Sequence, residues 1–266
     1  MDNFSILNSF LSSTLPMTRT NFTTTEKFDY FFIQGETQRC ESIIRQGEHA
    51  LIGISPFNSR FSKEYVTSLI LFIAERFSHV DILMPCVKEA SRLLIASGVE
   101  EKKALKKTER ELRRHKKHIN ALFLTPALQK RKINIIQFSD YAKHPKYLSM
   151  KQELEVALTS CERFKRDCLT MSRLAVKGRM KGTGRDIQVP DSQLIKQALP
   201  YILAELPFFL NTPSLLGVKY STLFYHRPWP IARGLYDGTY PIQVNIRQSY
   251  AVVTLKEEKF HNNKDN

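Results

Sequence analysis

Ser55 lies in the stretch Leu51–Ser62, where a predicted buried strand gives way to a predicted helix. The apolar run Ala50–Ile54 has the length and β-branched content of a buried strand, and helical spacing of apolar residues begins after Ser62. In an open α/β sheet, ligands bind beyond the carboxyl ends of the strands, so a serine here would lie at the mouth of a pocket. The ordinary alternative is that Ser55 is a turn residue and Ser62 a helix cap.

Two further stretches carry side chains that could act on a bound substrate. A helix around Tyr201 and Glu205, four residues apart, would place a phenol and a carboxylate on one face. Tyr225 and His226 end a predicted strand. Each pair alone has a simpler explanation, a solvated carboxylate beside an exposed tyrosine or an ordinary strand end. The three stretches together are more specific than any one of them.

The elements that would position these residues alternate in the order typical of a parallel sheet. Strands are predicted at 50–54, 80–85, 133–138, 221–225 and 250–255. Helices are predicted at 62–77, 87–96, 100–124, 152–177 (as one helix or two) and 191–206. In the last of these, Asp191 can cap the helix, Pro200 predicts a kink or restart, and Pro207 predicts its end. The alternation predicts one α/β domain with a central, mainly parallel, Rossmann-like sheet.

The composition is that of a globular domain with an unusual charge. The 266 residues include 40 Lys and Arg against 26 Asp and Glu, a formal net charge of +14. Such a surplus favours a polyanionic partner, nucleic acid or a membrane surface, and says nothing about the fold. Apolar runs such as Leu69–Ala74 are too short to span a bilayer, and no signal-peptide pattern is present, so we expect a cytoplasmic protein. The four Cys show no CxxC or metal-type spacing, and we expect free thiols.

We predict three segments along the chain. Residues 1–38 form an N-terminal extension of uncertain order, residues 39–257 form the domain, and residues 258–266 form a polar tail. The basic, Gly-rich stretch Lys177–Arg185 lacks both a Walker Lys-Ser/Thr pair and a preceding strand, so it predicts a mobile surface loop rather than a phosphate site.

Three motifs resemble those of the tRNA-dependent cyclodipeptide synthases in order, spacing and identity. They are GISPFNS at 53–59, YILAELPFF at 201–209 and FYHRP at 224–228. The similarity extends from about Gln46 to Leu255. The resemblance implies a Rossmann-like domain similar to the catalytic domain of class I aminoacyl-tRNA synthetases. The chain lacks the HIGH and KMSKS signatures of those synthetases, which fits an enzyme whose amino acids arrive already activated on tRNA. We therefore expect no cofactor and no metal, aminoacyl-tRNA as the partner, and a monomer.

The resemblance implies a covalent mechanism. Ser55 matches the family's nucleophile, which receives the first aminoacyl group, and Gly53 and Asn58 match its neighbours in the motif. The implied reaction is ping-pong: an aminoacyl-Ser55 enzyme reacts with a second aminoacyl-tRNA, and the product closes to a diketopiperazine. A serine hydroxyl needs help to act as a nucleophile, but an aminoacyl ester is already reactive, so positioning can supply much of the acceleration.

Roles for the other two stretches follow from the same resemblance. Tyr201 and Glu205 match the pair that holds the α-amino group of the first aminoacyl moiety. Tyr225 matches the tyrosine implicated in proton relay during later steps, and His226 is its neighbour. Together with Asn58, these two residues correspond to the subfamily marked by Asn, Tyr and usually Gln. His226 therefore departs from the pattern at its third position.

Seven positions match the family's aminoacyl pockets, six in the first pocket and Met171 in the second. The first pocket has five apolar side chains and a glycine: Leu51, Leu83, Phe138, Phe208, Leu223 and Gly53. An apolar pocket predicts leucine as the preferred residue, with Phe, Met or Ile in side products, because such walls discriminate only weakly by shape. The three motifs most resemble members that make cyclo(Leu-Leu). The alternative is that most of these side chains are plain core.

The segment 100–124 predicts a long basic helix. Arg110, Arg113, Arg114 and Lys117 fall at helical spacing on one face. A solvated charged helix is the usual explanation of such a run, but it would carry more compensating acids. In the resembled family, the matching helix binds aminoacyl-tRNA, which implicates these four residues and Lys116.

Two other classes of protein remain as alternatives. Gly53-x-Ser55 partly matches the nucleophile elbow of an α/β serine hydrolase, but the second Gly is missing and no Ser-His-Asp set is evident. A non-catalytic RNA-binding module would explain the charge but would leave Ser55, Tyr201 and Glu205 without a purpose.

Overall fold

The computed structural model describes residues 30–180 and 192–256, and its centre is a six-stranded sheet. The strands are β1 (Phe31–Gly35), β2 (His49–Gly53), β3 (His79–Met84), β4 (Lys132–Gln137), β5 (Ser221–Tyr225) and β6 (Gln248–Leu255). Their order across the sheet is β1-β6-β5-β2-β3-β4. All neighbouring pairs are parallel except β1 with β6. The predicted α/β fold with a mainly parallel sheet is confirmed.

The order of strands reverses between β2 and β5. After β2 the chain adds β3 and then β4 on one side, whereas β5 pairs with the other side of β2 and is followed by β6. Chain segments leaving the carboxyl ends of β2 and β5 therefore diverge, and such a divergence opens a crevice between them. Both strands run into predicted site residues.

Strand β1 lies in the segment predicted to be an N-terminal extension. Phe31–Gly35 pairs in antiparallel fashion with β6, and the side chain of Phe31 is buried. The domain therefore begins before the predicted boundary at residue 39. A short edge strand depends on a partner from the far end of the chain, and the local sequence contains no sign of that pairing.

Helices cover both faces of the sheet, and a short 3-10 helix, Phe138–Tyr141, follows β4. The helices are α1 (Gln38–Ile44), α2 (Lys63–Arg76), α3 (Val87–Ile95), α4 (Glu101–Phe123), α5 (Pro145–Ser160), α6 (Glu162–Met180), α7 (Ser192–Lys196), α8 (Leu199–Leu216) and α9 (Pro230–Tyr236). The segment predicted at 152–177 is thus two helices, α5 and α6.

Alternation along the strands divides the apolar core into two layers. Successive side chains of a strand point to opposite faces. In β2, Leu51 joins the cluster that contains α5, α6 and α8, whereas Ala50 and Ile52 join the cluster that contains α2. Ser62 caps α2 by accepting a hydrogen bond from the Tyr65 backbone N–H, as its position predicted.

Helix α8 departs from the prediction. It begins at Leu199, as the restart at Pro200 predicted, and stays helical through Pro207 as far as a kink at Asn211, whose φ of −160° and ψ of 57° are not helical. Beyond the kink, a second helical segment continues through Pro213 to Leu216. Proline removes a backbone donor from a helix, and the Tyr236 hydroxyl donates to the Phe209 carbonyl at 3.0 Å, an oxygen that Pro213 cannot reach with an N–H. The predicted end at Pro207 is wrong, because the backbone turns away from helical geometry only at Asn211.

Other predictions have mixed outcomes. Lys177–Met180, the start of the predicted loop, is the last turn of α6, whereas residues 181–191, including the cap residue Asp191, lie outside the described part. All four cysteines are described and free, as expected. Within residues 30–180 and 192–256, no helix is both long and apolar enough to cross a membrane.

Candidate active site

The three predicted motifs meet in one cleft at the switch point between β2 and β5. Ser55 follows β2 by two residues, Tyr225 is the last residue of β5, and α8 brings Tyr201 and Glu205 over these strand ends. The cleft holds about 410 Å³ of empty space, including its opening to solvent. Ser55 is half-buried, and the other three side chains are buried. A nucleophile, a carboxylate and two phenols therefore share one small space.

Glu205 and Tyr225 are joined directly inside this cleft. The Tyr225 hydroxyl donates a hydrogen bond to Glu205 Oε1. Burial, and then the neighbouring Glu205 carboxylate, raise the pKa of Tyr225 well above its usual value. Tyr225 therefore stays protonated and acts as a donor to the Glu205 carboxylate.

Gly53 is required by the approach of the Tyr225 ring to β2. A Cβ atom at position 53 would lie 3.1 Å from Cε2 of Tyr225 and 3.3 Å from its hydroxyl oxygen. These distances are tighter than ordinary van der Waals contact, so any larger residue would push the ring from its place. Gly53 is thus needed to leave room for the Tyr225 ring of β5, and its own backbone conformation does not require a glycine.

The loop that carries Ser55 is held by Asn58. Asn58 Oδ1 accepts from the Arg60 backbone N–H at 3.1 Å, and its carbonyl accepts from the Phe61 N–H at 3.0 Å. Phe57, two residues after Ser55, has a φ of 64°, a left-handed conformation that is uncommon outside glycine. Such backbone strain persists only where surrounding contacts enforce it.

Asn58 also reaches across the cleft to the segment after β5. Its Nδ2 lies 3.2 Å from His226 Nε2, and the ring of Phe61 packs edge-on against the His226 ring at 5.1 Å between centroids. Burial, then the charges of Arg227 and Arg60, lower the pKa of His226 to about 3. His226 is therefore a neutral imidazole.

Five more side chains line the cleft that were not among the predicted site residues: Phe61, Ala175, Ile202, Arg227 and Trp229. The guanidinium carbon of Arg227 lies 4.3 Å from the centre of the Trp229 ring. Ile202 lies inside the predicted motif 201–209. Arg227 follows Tyr225-His226 directly, so continuing the motif by a few residues would have included Arg227 and Trp229. Phe61 lies within the stretch Leu51–Ser62, so extending the motif around Ser55 would have included it too. Ala175 has no local signal, because only the packing of α6 brings it here.

The six apolar positions predicted for the aminoacyl pockets lie in the core instead of on the open cleft wall. Leu51, Leu83, Phe138, Met171, Phe208 and Leu223 are each at most 2% exposed and belong to one apolar cluster. The apolar side chains that line the cleft are different ones, Phe61, Ala175 and Ile202 among them. The six residues therefore lie behind the cleft as it stands.

The predicted basic helix is α4, and its cationic side faces solvent. Its buried face, which includes Leu112 and Ile119, packs on the domain, whereas Arg110, Arg113, Arg114 and Lys117 are exposed. Arg113 and Arg114 pair with glutamates of the same helix at 2.9 and 2.5 Å. Lys116 differs from the other four, because its Nζ donates to Gln137 Oε1 at the end of β4.

One group of side chains that could bind a metal lies at the opposite end of the strands from Ser55. His49, His79 and Asp81 have potential ligand atoms within 4.8 Å of one another at the amino ends of β2 and β3. His49 Nε2 lies 3.1 Å from Asp81, His49 Nδ1 lies 2.8 Å from Ser221 Oγ, and Asn134 donates to Asp81 at 3.0 Å. These groups form a hydrogen-bonded network across four strands, remote from Ser55.

The fold and the cleft together define a Rossmann-like α/β enzyme whose serine, carboxylate and tyrosine residues lie at the topological switch point. The cyclodipeptide synthase family model matches residues 31–255, from the first residue of β1 to the last of β6. The chain belongs to the cyclodipeptide synthase family and is therefore a peptide-bond-forming aminoacyltransferase. Membership of this family excludes the two alternative classes left open by the sequence, a serine hydrolase and a non-catalytic RNA-binding module.

Curated relatives and solved structures agree with this assignment. The chain is 57% identical to a cyclo(L-leucyl-L-leucyl) synthase of Photorhabdus laumondii, over 84% of this chain and 96% of that protein. It is 32% identical to a cyclo(L-leucyl-L-leucyl) synthase of Bacillus subtilis, over 88% and 93%. A crystal structure of a cyclodipeptide synthase from Bacillus thermoamylovorans superposes with a TM-score of 0.80 at 34% identity, covering 85% of this chain and 97% of that one.

The fold also extends beyond the family. A Mycobacterium tuberculosis protein of 26% identity superposes with a TM-score of 0.71 over 88% of this chain and all of that one. Its structure is described as demonstrating that cyclodipeptide synthetases are related to type I tRNA synthetases. The relation to class I synthetases expected from the sequence is thereby confirmed.

Proposed function

We propose that the enzyme joins two leucyl groups, delivered by two leucyl-tRNA molecules, into cyclo(L-leucyl-L-leucyl) through a leucyl ester on Ser55. The observation that carries the mechanism is the placement of Ser55 in one cleft with Tyr201 and the Glu205–Tyr225 pair. The choice of leucine is supported by relatives named cyclo(L-leucyl-L-leucyl) synthases at 57% and 32% identity.

The first step transfers a leucyl group to the enzyme. Ser55 Oγ attacks the ester carbonyl of leucyl-tRNA, the bond to the ribose oxygen breaks, and the serine proton ends on that oxygen. The α-ammonium group of the leucyl moiety is held by the Glu205 carboxylate, beside the Tyr201 phenol, which fixes the carbonyl next to Ser55.

The second and third steps build the ring. The α-amine of leucyl-Ser55, after losing a proton to Glu205, attacks the ester carbonyl of a second leucyl-tRNA. The bond to the ribose oxygen breaks, the second proton of the amine ends on that oxygen as the tRNA leaves, and a dipeptide remains on Ser55. The terminal amine of that dipeptide then attacks the Ser55 ester, which closes the diketopiperazine and restores the serine hydroxyl. Tyr225, protonated and bonded to Glu205, can pass a proton between the amine and the departing oxygen.

Selection of leucine is supported by the apolar surroundings of the cleft. Ile202, Ala175 and Phe61 line it, and behind them lies the apolar cluster with the six predicted pocket residues. A leucyl side chain packed there loses no hydrogen bond, whereas a charged side chain would be left unpaired. Each methylene adds only about 1 to 3 kcal/mol of discrimination, so products with Phe, Met or Ile are expected as minor components.

Delivery of the substrate is assigned to the exposed basic face of α4. Arg110, Arg113, Arg114 and Lys117 form a cationic strip that suits the phosphates of tRNA, contacts that position a nucleic acid without reading its sequence. Lys116 is bonded to Gln137 and is a weaker candidate for phosphate binding than the other four.

The experiment uses purified protein and leucyl-tRNA that carries labelled leucine. Wild type is expected to form cyclo(Leu-Leu), detected by mass spectrometry, and an acid-stable label on the protein that maps to Ser55. Ser55→Ala should lose both, whereas Ser59→Ala, which alters an exposed serine of the same loop, should lose neither. Label retained on Ser55→Ala would place the nucleophile elsewhere, and a product set dominated by a polar or charged residue would contradict the assignment of leucine.

A further inference from the structure

The segment His226–Trp229, which follows β5, concentrates buried donors that lack partners. His226 Nδ1, Arg227 Nε and Trp229 Nε1 are each buried, and none has a hydrogen-bond partner among the described residues. All three side chains line the cleft that contains Ser55. Buried polar groups in native proteins are almost always hydrogen-bonded, so three such nitrogens in one short segment indicate a ligand rich in acceptor oxygens.

The hydrogen bonds around Asn58 determine which nitrogen of His226 carries the proton. Because the Arg60 backbone N–H donates to Asn58 Oδ1 at 3.1 Å, that oxygen faces away from His226 and the amide nitrogen Nδ2 faces it. An amide nitrogen only donates, so His226 Nε2, 3.2 Å away, must accept. The proton of the neutral ring is then on Nδ1, the nitrogen without a partner.

The charge of the surroundings fits the same conclusion. Burial and the positive charges of Arg227 and Arg60 keep the pKa of His226 low, so that the ring stays neutral and Nε2 remains free to accept from Asn58. The same two cations make this side of the cleft attractive to oxygens that carry partial negative charge. Glu205, on α8, offers the complementary surface for an ammonium group.

We propose that Nδ1–H of His226 donates a hydrogen bond to an acceptor oxygen at the reacting end of the aminoacyl-tRNA, with Arg227 and Trp229 completing the donor side of the cleft. This proposal rests on the proposed function, because it assumes that an aminoacyl ester occupies the cleft. The oxygen is either the carbonyl oxygen of the ester or a hydroxyl of the terminal ribose. A donor at the carbonyl would stabilise the charge that develops as Ser55 attacks, whereas a donor at the ribose would strengthen binding.

The two ring nitrogens of His226 have separate partners under this proposal. A glutamine at position 226 could accept from Asn58 through its Oε1 at the place of the histidine Nε2. It would have no donor at the place of Nδ1. Histidine therefore keeps the contact with the Ser55 loop and adds a donor toward the cleft.

Two substitutions separate these two nitrogens. His226→Gln keeps an acceptor for Asn58 and removes the Nδ1 donor, whereas His226→Asn places its amide N–H near Nδ1 and loses the contact with Asn58. The measurements are the single-turnover rate of leucyl transfer from leucyl-tRNA to Ser55 and the affinity for leucyl-tRNA. We expect His226→Gln to lose about tenfold or more in one of the two, and His226→Asn to recover most of that loss.

Each outcome decides a part of the proposal. A loss in the saturated rate assigns the acceptor to the ester carbonyl, and a loss in affinity assigns it to the ribose. Wild-type rate and affinity in His226→Gln would overturn the proposal. A defect in His226→Asn at least as large as that in His226→Gln would also overturn it, because an N–H restored at the place of Nδ1 would then bring no recovery.

A measurement on the unaltered protein guards against variants that do not fold. In wild type labelled with ¹⁵N-histidine, the spectrum of His226 should show the neutral tautomer with the proton on Nδ1, shifted when an amide-linked analogue of leucyl-adenosine binds. A proton on Nε2, or no shift at Nδ1, would overturn the proposal. Absence of leucyl transfer in wild type would instead contradict the proposed function, so the two failures are distinguishable.

Discussion

The phenol of Tyr225 donates a hydrogen bond to Glu205 Oε1, which joins the end of β5 to the middle of α8 inside the cleft. The two residues are both 6% exposed, and the contact between them lies next to Ser55. Under the proposed function, this pair binds the substrate ammonium group and offers a route for a proton.

Removing the charge at position 205 should disable substrate binding without unfolding the protein. In Glu205→Gln the amide cannot pair with an ammonium group, and hydrogen bonds to charged groups contribute about 1.5 to 3 kcal/mol, so kcat/KM should fall about 10- to 150-fold. Tyr201→Phe should lower it less. Cyclic dipeptide formation at equal soluble protein is the measurement, with Glu155→Gln, an exposed glutamate on α5, as control. Wild-type yield from Glu205→Gln would remove Glu205 from the site.

A methyl group at position 53 should displace the Tyr225 ring. The added Cβ would lie 3.1 to 3.3 Å from that ring, and overpacking of this kind costs about 1 to 3 kcal/mol. We expect Gly53→Ala to have a lower Tm and at least about tenfold lower activity, because the Tyr225 ring must shift from its position beside Glu205. Gly178→Ala, where a Cβ meets no atom within 4 Å, is the matched control and should retain both. An active Gly53→Ala protein would show that the position of Tyr225 is not needed.

Reversing charge on the exposed face of α4 should weaken binding of aminoacyl-tRNA. In the variant Arg113→Glu, Arg114→Glu, Lys117→Glu, each lost phosphate contact should reduce the log-log slope of affinity against salt by about 0.7 to 0.9. Filter binding at several salt concentrations measures both quantities, and thermal melting checks the fold.

The matched control for the α4 variant makes the same change in charge at the amino ends of the strands. Lys130, Arg131 and Lys219 are exposed and precede β4 and β5, at the amino ends of these strands. Changing these three to Glu should reduce affinity less and leave the salt slope closer to that of wild type. If the two triple variants behave alike, net charge rather than α4 determines binding.

Acid should destabilise the protein in part through His226. The pKa of His226 in the folded protein is about 3, below the ordinary 6.5. Below about pH 6.5, the unfolded chain therefore binds a proton at this residue that the folded chain does not bind. Stability is therefore lost as the pH falls from about 6.5 towards 3. His79, His115 and His118, whose pKa values are also lowered by burial, contribute to the same loss.

The share of His226 can be isolated by substitution. His226→Gln has no ionisable group at this position, so its Tm should fall less than that of wild type between about pH 7.5 and about pH 5. An identical fall in the two proteins would show that the ring is protonated at little cost in the folded state.

The sequence located the buried strands, because the position of each strand in the chain depends on local composition. β5 is where it was predicted, and β2, β3 and β4 are shifted by one residue, because short apolar runs with β-branched residues have few other solutions. The long helix α4 was likewise evident from a run without Gly or Pro. Strand β1 was missed because an edge strand is defined by its partner.

Some residues of the site were likewise identified from the sequence, and others only from the structure. Residue types and spacing identified Ser55, Tyr201, Glu205 and Tyr225, and the structure brings these four into one cleft. The sequence did not identify Arg227 and Trp229 as cleft residues, and it placed six apolar residues at a pocket wall where the structure buries them in the core.

What the sequence determined by itself is therefore the set of elements and the choice of candidate site residues, since the elements follow from periodicity and the candidates from local motifs and their resemblance to a known family. Only the tertiary structure decided that β5 lies beside β2, which places Tyr225 against Gly53 and next to Glu205. It also decided that α8 stays helical past Pro207 as far as the kink at Asn211, and that His226 lies beside Asn58. These relations join residues far apart in the chain, and a local pattern carries no information about such contacts.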